Sequence, residues 1–159
     1  MSEILMESKD FNNLPLGKIP KDWEIKTLGV ITSKIVDGTH FTPKYVEYGV
    51  PFLRVTDIQD STINLDNVKR ITVNEHHQLT VRCKPEYGDI LYSKNGTVGI
   101  TKIVDWYEEF SIFVSLCLIK PITSLVSHKY LSKILQSFLI ENKIRIRSKQ
   151  MTVSNLHLE

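Results

Sequence analysis

The sequence predicts an α+β domain, rich in β-strands, in which a twisted and mostly antiparallel sheet with hairpins precedes one C-terminal amphipathic helix. Two patterns indicate this fold class. Between residues 24 and 119, short alternating or β-branched segments are separated by turn residues, as in hairpin-connected sheets. After Pro121, apolar residues recur with a period of 3.6, which is typical of a helix that packs one face on a core.

The predicted elements can be placed in order along the chain. Residues 1–18 are expected to form an N-terminal arm, because this stretch is polar and is interrupted by Pro15 and Gly17. The predicted strands cover residues 24–28, 31–36, 50–58, 68–73, 88–94, 97–104 and 110–119. The helix is expected over residues 128–143, with Ser127 as its N-cap. Its apolar stripe consists of Leu131, Ile134, Leu135, Phe138 and Leu139.

Length and cysteine content limit the class of protein. A chain of 159 residues predicts one domain, here residues 19–159, that buries a core without disulfides or a metal. Cys83 and Cys117 have no neighbouring cysteines or ligand-spaced histidines, which argues against a disulfide framework and a zinc site. We expect no cofactor. The N-terminus resembles no export signal and no apolar run spans a bilayer, so a cytoplasmic protein without a membrane partner is expected.

Charge is distributed unevenly along the chain. Residues 1–110 carry 13 Lys and Arg against 16 Asp and Glu, whereas residues 111–159 carry 7 against 2. The densest basic cluster is Lys143, Arg145, Arg147 and Lys149. Its spacing of two suits an extended edge that faces a polyanion, although a solvated helix end would look similar.

The segment GDILYSKNGTVG, residues 88–99, superficially resembles a phosphate-binding loop. It lacks both the Gly-x-x-x-x-Gly-Lys-Ser/Thr pattern and the Gly-x-Gly-x-x-Gly pattern, and a β-branched strand rather than a helix follows it. Asn95-Gly96 supplies the two residues with positive φ that a type I′ hairpin turn needs. The sequence therefore predicts a hairpin whose polar tip contains Ser93, Lys94, Asn95, Gly96 and Thr97.

Two further loops carry polar side chains. Residues 37–43 combine Thr39, His40 and Thr42 in an exposed turn that suits hydrogen bonding to a polar ligand, although simple turn chemistry explains the same residues. In the strand predicted over 50–58, alternation places Arg54 and Thr56 on one face. Arg54 could pair with Asp57 or Asp89, or it could contact a phosphate or the edge of a guanine.

Signals for catalysis are weak. Glu75-His76-His77 is a poor metal motif, because adjacent side chains do not converge on one ion. Asp10, Glu24 and Lys26 faintly resemble the acidic motif of metal-dependent nucleases, and a small nuclease is therefore kept as an alternative function. A methyltransferase would need a glycine-rich cofactor loop and an Asn/Asp-Pro-Pro-Tyr/Phe motif, and the sequence has neither. We assign no catalytic residues.

Several segments, taken in order, resemble one known family. They are IPKDWEIKTLG, DGTHFTPKY, GVPFLRVTDI, GDILYSKNGTVG, SLCLIKP, YLSKILQS and TVSNLHL. Over residues 19–158 this set resembles a target recognition domain of the DNA specificity subunits of type I restriction-modification systems. The resemblance implies a non-catalytic domain that selects a double-stranded DNA half-site for separate methyltransferase and restriction subunits.

Family members usually contain two such domains, each followed by a long spacer helix that pairs with its counterpart. This sequence stops at Glu159, where the spacer helix is expected to begin. The resemblance therefore implies half of a specificity subunit or a truncated gene product, and a second half or a homodimer is one expected way to complete the subunit. Gln150 and Met151 stand where the family commonly has a glycine and a small hydroxyl residue. A pure assembly module, which uses the apolar stripe of the helix to bind a partner, is a further alternative.

The resemblance also implies where DNA would bind. Loops 37–44, 54–57, 93–97 and 147–152 would form one surface, with phosphate contacts from Lys44, Lys94, Arg147 and Lys149. Base contacts are expected from His40, Thr42, Arg54 and Asn95. The complete set of expected DNA-binding residues is Thr39, His40, Thr42, Lys44, Arg54, Thr56, Ser93, Lys94, Asn95, Gly96, Thr97, Arg147, Lys149, Gln150 and Thr152.

Overall fold

A computed structural model describes residues 11–14, 17–60 and 62–137, with side chains from Pro20 onward. The strands are β1 Phe11–Leu14, β2 Gly17–Pro20, β3 Thr32–Asp37, β4 Val50–Leu53, β5 Lys69–Ile71, β6 Ile90–Ser93, β7 Thr101–Ile103, β8 Ser111–Ile112 and β9 Leu116–Pro121. The helices are α1 Leu28–Ile31, α2 Val73–Thr80 and α3 His128–Leu135, and short 3₁₀ turns cover Val55–Ile58 and Leu65–Asn67. None of the helices in these ranges is long and apolar enough to cross a membrane.

The described strands form three sheets. β1 and β2 form an antiparallel hairpin, and β3-β9-β6-β7 form a four-stranded antiparallel sheet. The third sheet has the order β5-β4-β8, in which β4 pairs antiparallel with β5 and parallel with β8. The predicted α+β class, with mostly antiparallel strands, is therefore confirmed, although the strands are divided among separate sheets.

The four-stranded sheet is buried on both faces. Along β6 and β9, Leu91 and Leu118 face a cluster that also contains Leu53 and Phe110. The alternate residues of the same strands face a second cluster with α3, because successive side chains of a strand point to opposite faces. That cluster consists of Ile90, Tyr92, Cys117, Ile119, Leu131 and Leu135. Leu131 and Leu135 of the apolar stripe on α3 are thus core contacts.

Three strand predictions were wrong in type or in extent. In each case, solvent exposure of the segment or a local side-chain hydrogen bond outweighs the strand propensity of the sequence. Residues 24–27 form no strand, and Ile25 is 54% exposed. The strand predicted over 50–58 ends at Leu53, because the Asp57 carboxylate accepts a hydrogen bond from the Arg54 N–H at 2.7 Å and the chain enters a 3₁₀ turn. The strand predicted over 68–73 ends at Ile71, since Thr72 caps the unpredicted helix α2.

The strand predicted over 110–119 is divided into β8 and β9 by a turn at residues 113–115. β8 pairs with β4, whereas β9 pairs with β3 and β6, so a single apolar run serves two sheets. An apolar sequence indicates that the residues are buried, and residues in either sheet are buried, so the sequence does not show where one strand ends and the next begins. The division places the turn between the sheets, and this position is central to the candidate site.

The predicted type I′ turn at Asn95-Gly96 was also wrong. Gly96 has φ 76° and Gly99 has φ 100°, but Asn95 does not have a positive φ. Regular β6–β7 pairing ends at Tyr92 with Thr101, and the Ser93 N–H donates to the Ile100 carbonyl at 2.9 Å. A longer loop, not a two-residue turn, therefore joins the strands, and the strand predicted over 97–104 shortens to β7.

The remaining differences lie at the ends of the chain. Residues 11–14 and 17–20, expected to be mostly an irregular arm, form the β1–β2 hairpin. Helix α3 ends at Leu135, followed by its C-cap Gln136, whereas the prediction extended it to residue 143. Phe138 and Leu139 of the predicted stripe lie outside the described residues. The division into an arm and one recognition domain stays a prediction.

Candidate nucleic-acid interface

Three of the four predicted loops meet at the turn formed by residues 113–115. Thr39 pairs with this turn, because its N–H donates to the Ile112 carbonyl at 3.0 Å and its carbonyl accepts from the Val114 N–H at 2.9 Å. On the second loop, the Val55 N–H donates to Ser115 Oγ at 3.1 Å. The Lys94 N–H of the third loop donates to the Ser115 carbonyl at 3.0 Å. We call residues 37–44, 54–57, 93–97 and 113–115 the loop cluster.

Close backbone packing holds the first loop against this turn. A Cβ atom at Gly38 would collide with the carbonyl groups of Ile112 and Phe113, so glycine is required by space. Arg82, just after α2, donates from Nη2 to the carbonyls of Asp37 and Gly38, each at 2.8 Å. The base of the loop is therefore fixed by backbone hydrogen bonds on one side and by an arginine on the other.

The Lys94 ammonium is internal to the loop cluster. It donates to Asp37 Oδ2 at 2.5 Å, and Lys94 is only 7% exposed. The expectation that Lys94 stands at an exposed hairpin tip was wrong, because the Asp37 carboxylate draws the ammonium inward to form an ion pair. His40 Nε2 lies 3.8 Å from the same Asp37 oxygen, and its side chain is exposed.

Ser93 also lies inside the protein, where its hydroxyl makes hydrogen bonds within the third loop. It is fully buried, donates from Oγ to the Thr97 carbonyl at 2.6 Å, and accepts from the Ile100 N–H at 2.8 Å. The expectation that Ser93 lies at an exposed tip was therefore wrong. Gly96 and Thr97 are exposed as expected, and a Cβ at Gly96 would contact Val55 Cγ1 at 3.9 Å, so the second and third loops are adjacent.

The remaining members of the first loop are mostly exposed. His40, Thr42 and Lys44 are accessible, and Thr39 is buried at 6% exposure. Phe41, which the sequence prediction did not select, is 58% exposed between them. An exposed aromatic ring surrounded by polar residues offers a flat surface for a ligand as well as hydrogen bonds.

Arg54 and Asp57 form an ion pair within the second loop. Arg54 Nε donates to Asp57 Oδ2 and Arg54 Nη2 donates to Oδ1, both at 3.2 Å. This hydrogen-bonded carboxylate raises the pKa of Arg54. The strand alternation expected here was wrong, because Phe52 and Leu53 are both buried and Arg54 begins a turn. Thr56 is exposed, and its Oγ1 donates to Asp57 Oδ1 at 3.4 Å.

Asn95 has an unusual environment. Its side chain is partly buried, and Oδ1 is inaccessible yet has no hydrogen-bond partner among the described residues. A buried carbonyl oxygen without a donor costs free energy, so this side chain is held at an energetic cost by the loop around it. Asn95 adjoins the Lys94 backbone that is bonded to Ser115.

Other expected positions lie elsewhere. Arg147, Lys149, Gln150 and Thr152 lie outside the described residues, as does Asp10. Glu24 and Lys26 form an exposed ion pair with each other at 2.6 Å, in the irregular segment just before α1. In the ranges that the structure describes, no group of three or more His, Cys, Asp or Glu is arranged to hold a metal.

His76 occupies a core position. It is 2% exposed, and its Nδ1 lies 2.9 Å from Ser111 Oγ, across the contact between α2 and β8. Burial lowers the pKa of its imidazole, against the opposing effect of Glu109. The Glu75-His76-His77 segment therefore packs α2 onto β8, with His76 inside and His77 exposed.

Sequence reasoning missed one group that organises the site, Ser115, and undervalued Asp37. It left the pairing of Arg54 with Asp57 open as one alternative, and the structure shows that pair. Asp57 follows Arg54 by three residues, a spacing that a side-chain cap uses, so this contact was detectable. Ser115 gave no signal, because it lay inside an apparent strand. Its contact with Val55 spans 60 residues of sequence, which no local pattern encodes.

The chain resembles known specificity subunits in sequence and in fold. It is 24% identical over 148 residues to a protein from Methanocaldococcus jannaschii described as a putative type I restriction enzyme MjaX specificity subunit. This match covers 91% of the chain and 35% of that relative. The structure matches the crystal structure of the HsdS subunit from Thermoanaerobacter tengcongensis with a TM-score of 0.62.

The structural match has 18% sequence identity and covers 93% of the chain and 35% of that subunit. The chain thus spans about a third of the length of each protein it matches. No family model matches the sequence. Together, the two similarities confirm the resemblance to type I restriction specificity subunits that the ordered sequence segments predict.

Proposed function

We propose that this chain is a non-catalytic target recognition domain that binds double-stranded DNA sequence-specifically. The observation that carries the proposal is the convergence of three polar loops on the turn at residues 113–115. Loops held by backbone bonds on a rigid scaffold are well suited to direct readout, since their side chains have a fixed register against a groove. Similarity to a specificity subunit in sequence and to an HsdS subunit in fold supports the same function.

The exposed residues of the loop cluster fall into two roles. Lys44 is an exposed cation and would contact phosphate, which contributes affinity without selecting a sequence. His40 and Thr42 present exposed hydrogen-bonding groups that would contact base edges, whereas Asn95 is partly buried with an inaccessible Oδ1 and would contact a base only through the rest of its amide. Lys94 is neutralised by Asp37, so its role would be to hold the first and third loops together beneath that surface.

The wider assembly follows from the same proposal. The domain would direct methyltransferase and restriction subunits of a type I system to its half-site in the cytoplasm. A second specificity half or a homodimer would supply the other half-site. Since phosphate contacts elsewhere in such an assembly would be missing from the isolated chain, we expect it to bind with a Kd on the order of 10⁻⁴ to 10⁻⁶ M.

The alternative functions receive less support from the described residues. The assembly module needs an accessible apolar stripe, but Leu131 and Leu135 are buried at 3% and 7% exposure. The nuclease needs Glu24 and Lys26 near a metal and a scissile phosphate, but the two side chains are bonded to each other. Magnesium-dependent cleavage of DNA by the purified chain would support the nuclease alternative.

A binding selection from a randomised duplex library tests the proposed function. The chain is incubated with the library at low salt, the retained DNA is sequenced, and the selection is repeated at higher salt. We expect an enriched motif of about three to five base pairs that survives the added salt, because base contacts do not depend on counterion release. Retention without a motif would contradict sequence recognition by this chain.

The salt dependence of two variants tests the assigned roles. Lys44→Ala should lower the slope of log K against log salt by about 0.9, since one phosphate contact is lost. The double variant Asp37→Asn/Lys94→Met, which removes both charges of the internal ion pair, should leave the slope unchanged, because neither side chain would contact phosphate. Lys129→Ala, which removes an exposed charge from α3, is the matched control. Equal reductions in all three variants would indicate a diffuse electrostatic effect instead.

A further inference from the structure

One edge of the Arg54 guanidinium is occupied by Asp57. The Nε–H and one Nη2–H donate to the two carboxylate oxygens, each at 3.2 Å. Asp57 Oδ2 also accepts from the Arg54 backbone N–H at 2.7 Å, and the Arg54 carbonyl accepts from the Asp57 N–H at 3.0 Å. Side chain and backbone of Arg54 are therefore fixed by the same residue.

The adjacent edge of the guanidinium, formed by Nη1 and Nη2, has no partner among the described residues other than Asp57. A guanidinium is planar and has five N–H donors in a rigid arrangement, of which two face Asp57. Nη1 makes no hydrogen bond with any described residue, so its two N–H groups and the second Nη2–H remain. One N–H on Nη1 and one on Nη2 point in parallel and can meet two acceptors at once. The Arg54 side chain is 33% exposed, against 11% for Asp57, so the arginine is the partner of this pair that is open to solvent.

Arg54 also stands within the loop cluster. The next residue, Val55, is bonded to Ser115 Oγ at 3.1 Å and lies next to Gly96 of the third loop. Arg54 therefore belongs to a loop that adjoins the other loops expected to face DNA. Because Asp57 already fixes this arginine, binding would cost little further side-chain entropy.

Resting on the proposed function, we propose that Arg54 recognises a guanine in the major groove through its Nη1/Nη2 edge, and that Asp57 is the residue that positions it. Guanine presents two neighbouring acceptors, N7 and O6, which match two parallel donors. Adenine presents N7 beside an amino group, so one donor of Arg54 would face another donor. Thymine presents one acceptor and cytosine a donor, so guanine alone satisfies both N–H groups.

The ion pair also favours a base over a phosphate as the ligand. Asp57 neutralises much of the positive charge of Arg54, which weakens its attraction to a phosphate. The geometry of the donors is unaffected, and it is geometry that discriminates between base edges. Asp57 itself is not a base-contacting residue, because both its oxygens are engaged by Arg54 and its side chain is mostly buried.

The test begins from the motif that the intact chain selects from a randomised duplex library. Each guanine of the motif is replaced in turn by 7-deazaguanine, which lacks the N7 acceptor, and binding is measured by competition. We expect about a 10-fold loss at one guanine, as for one hydrogen bond to a charged donor. Replacing that guanine by another base should cost about 10- to 100-fold.

Arg54 variants then identify the contacting residue. Arg54→Ala should abolish both the base preference and the effect of 7-deazaguanine at that position, while the other positions of the motif keep their preferences. Arg54→Lys should behave similarly, because a lysine cannot make the paired contact. Lys129→Ala, which removes one positive charge from α3, should leave every position unchanged.

Asp57 variants separate positioning from a merely structural role. Asp57→Asn keeps an acceptor for the backbone cap, and it should reduce the preference at the same single position while it steepens the salt dependence, because the Arg54 charge is released. A merely structural role would instead lower the folded fraction and weaken binding to all sequences equally. Circular dichroism of each variant distinguishes the two results.

The outcomes separate this inference from the function on which it rests. A motif that contains a guanine sensitive to Arg54 and to 7-deazaguanine supports both. A motif whose preferences are all unchanged in Arg54→Ala would overturn the assignment of Arg54 and leave sequence recognition intact. The absence of any motif with the intact chain would overturn the proposed function and the inference together.

Discussion

The ion pair between Asp37 and Lys94 is expected to hold the loop cluster together. Removing Asp37 and removing Lys94 should lower the free energy of unfolding by different amounts. The Lys94 side chain is 9% exposed and that of Asp37 is 28% exposed. Asp37→Ala would leave a buried ammonium without its partner. Lys94→Met would leave a carboxylate that water and His40 can still reach. Removal of the acid should therefore destabilise the fold more than removal of the base.

The magnitude follows from the burial of the charge that remains. Removing one partner of a buried ion pair costs about 3 to 5 kcal/mol of folding free energy. We take the lower end, about 3 kcal/mol, for Asp37→Ala because the pair is partly exposed to solvent. For Lys94→Met we expect about 1 kcal/mol, since the remaining carboxylate is partly solvated. The double variant should cost about 2 kcal/mol, less than Asp37→Ala alone, because no uncompensated charge remains. The coupling energy is then about 2 kcal/mol.

Urea denaturation of the four proteins measures these free energies of unfolding, with the slope of the transition checked for constancy. In thermal melts, Asp37→Ala should lower Tm by roughly 6 to 12 °C for a chain of this size. Glu24→Ala, which breaks an exposed ion pair with Lys26, is the control and should not change stability measurably. The reasoning would be refuted if Lys94→Met were the more destabilising change, or if the double variant were less stable than Asp37→Ala.

Two further predictions concern titrating groups in the core. Because burial lowers the pKa of His76 below its ordinary 6.5, the unfolded chain binds more protons below that pH, and the free energy of unfolding should fall as the pH is lowered from 7 to 5. Urea titrations at several pH values in this range should show that the free energy of unfolding falls in the control His77→Asn and falls less in His76→Asn. An equal fall with pH in both variants would contradict the assignment to His76. Burial also raises the pKa of Cys83 to about 11 and that of Cys117 to about 12. A thiol reagent should therefore modify both cysteines slowly in the native protein and quickly in denaturant. Rapid labelling of the native protein would contradict this prediction.

The fold class was predictable from the sequence because it depends on periodicity. Alternation located β3 and β6 to within a few residues and the start of β4 at Val50, and the period of 3.6 located the start of α3 at His128. What failed were the boundaries set by side-chain caps. Thr72 ended one strand by capping α2, through its Oγ1 and the Glu75 N–H at 3.2 Å. The Thr-x-x-Glu pattern at residues 72–75 is a capping signal that would have indicated the helix.

The site was predictable only in part, because exposure depends on contacts between distant segments. Residue type alone correctly selected His40, Thr42 and Lys44 as exposed polar groups. It gave the wrong exposure for Lys94, which is paired with a carboxylate 57 residues earlier in the chain. A local pattern shows that a cation is present, but only the fold shows whether an anion has already neutralised it.

The neutralisation of the two central cations determines what the loop cluster can do. Lys94 is paired with Asp37 and Arg54 with Asp57, so two of the charges expected to attract phosphate are compensated within the protein. Each pairing fixes a side chain in place, and the Arg54 pair leaves hydrogen-bond donors pointing outward. Affinity for a polyanion needs uncompensated charge, whereas discrimination between bases needs fixed donors and acceptors. This part of the surface is therefore better suited to selecting a sequence than to binding DNA tightly, and most of the affinity would have to come from cations outside it.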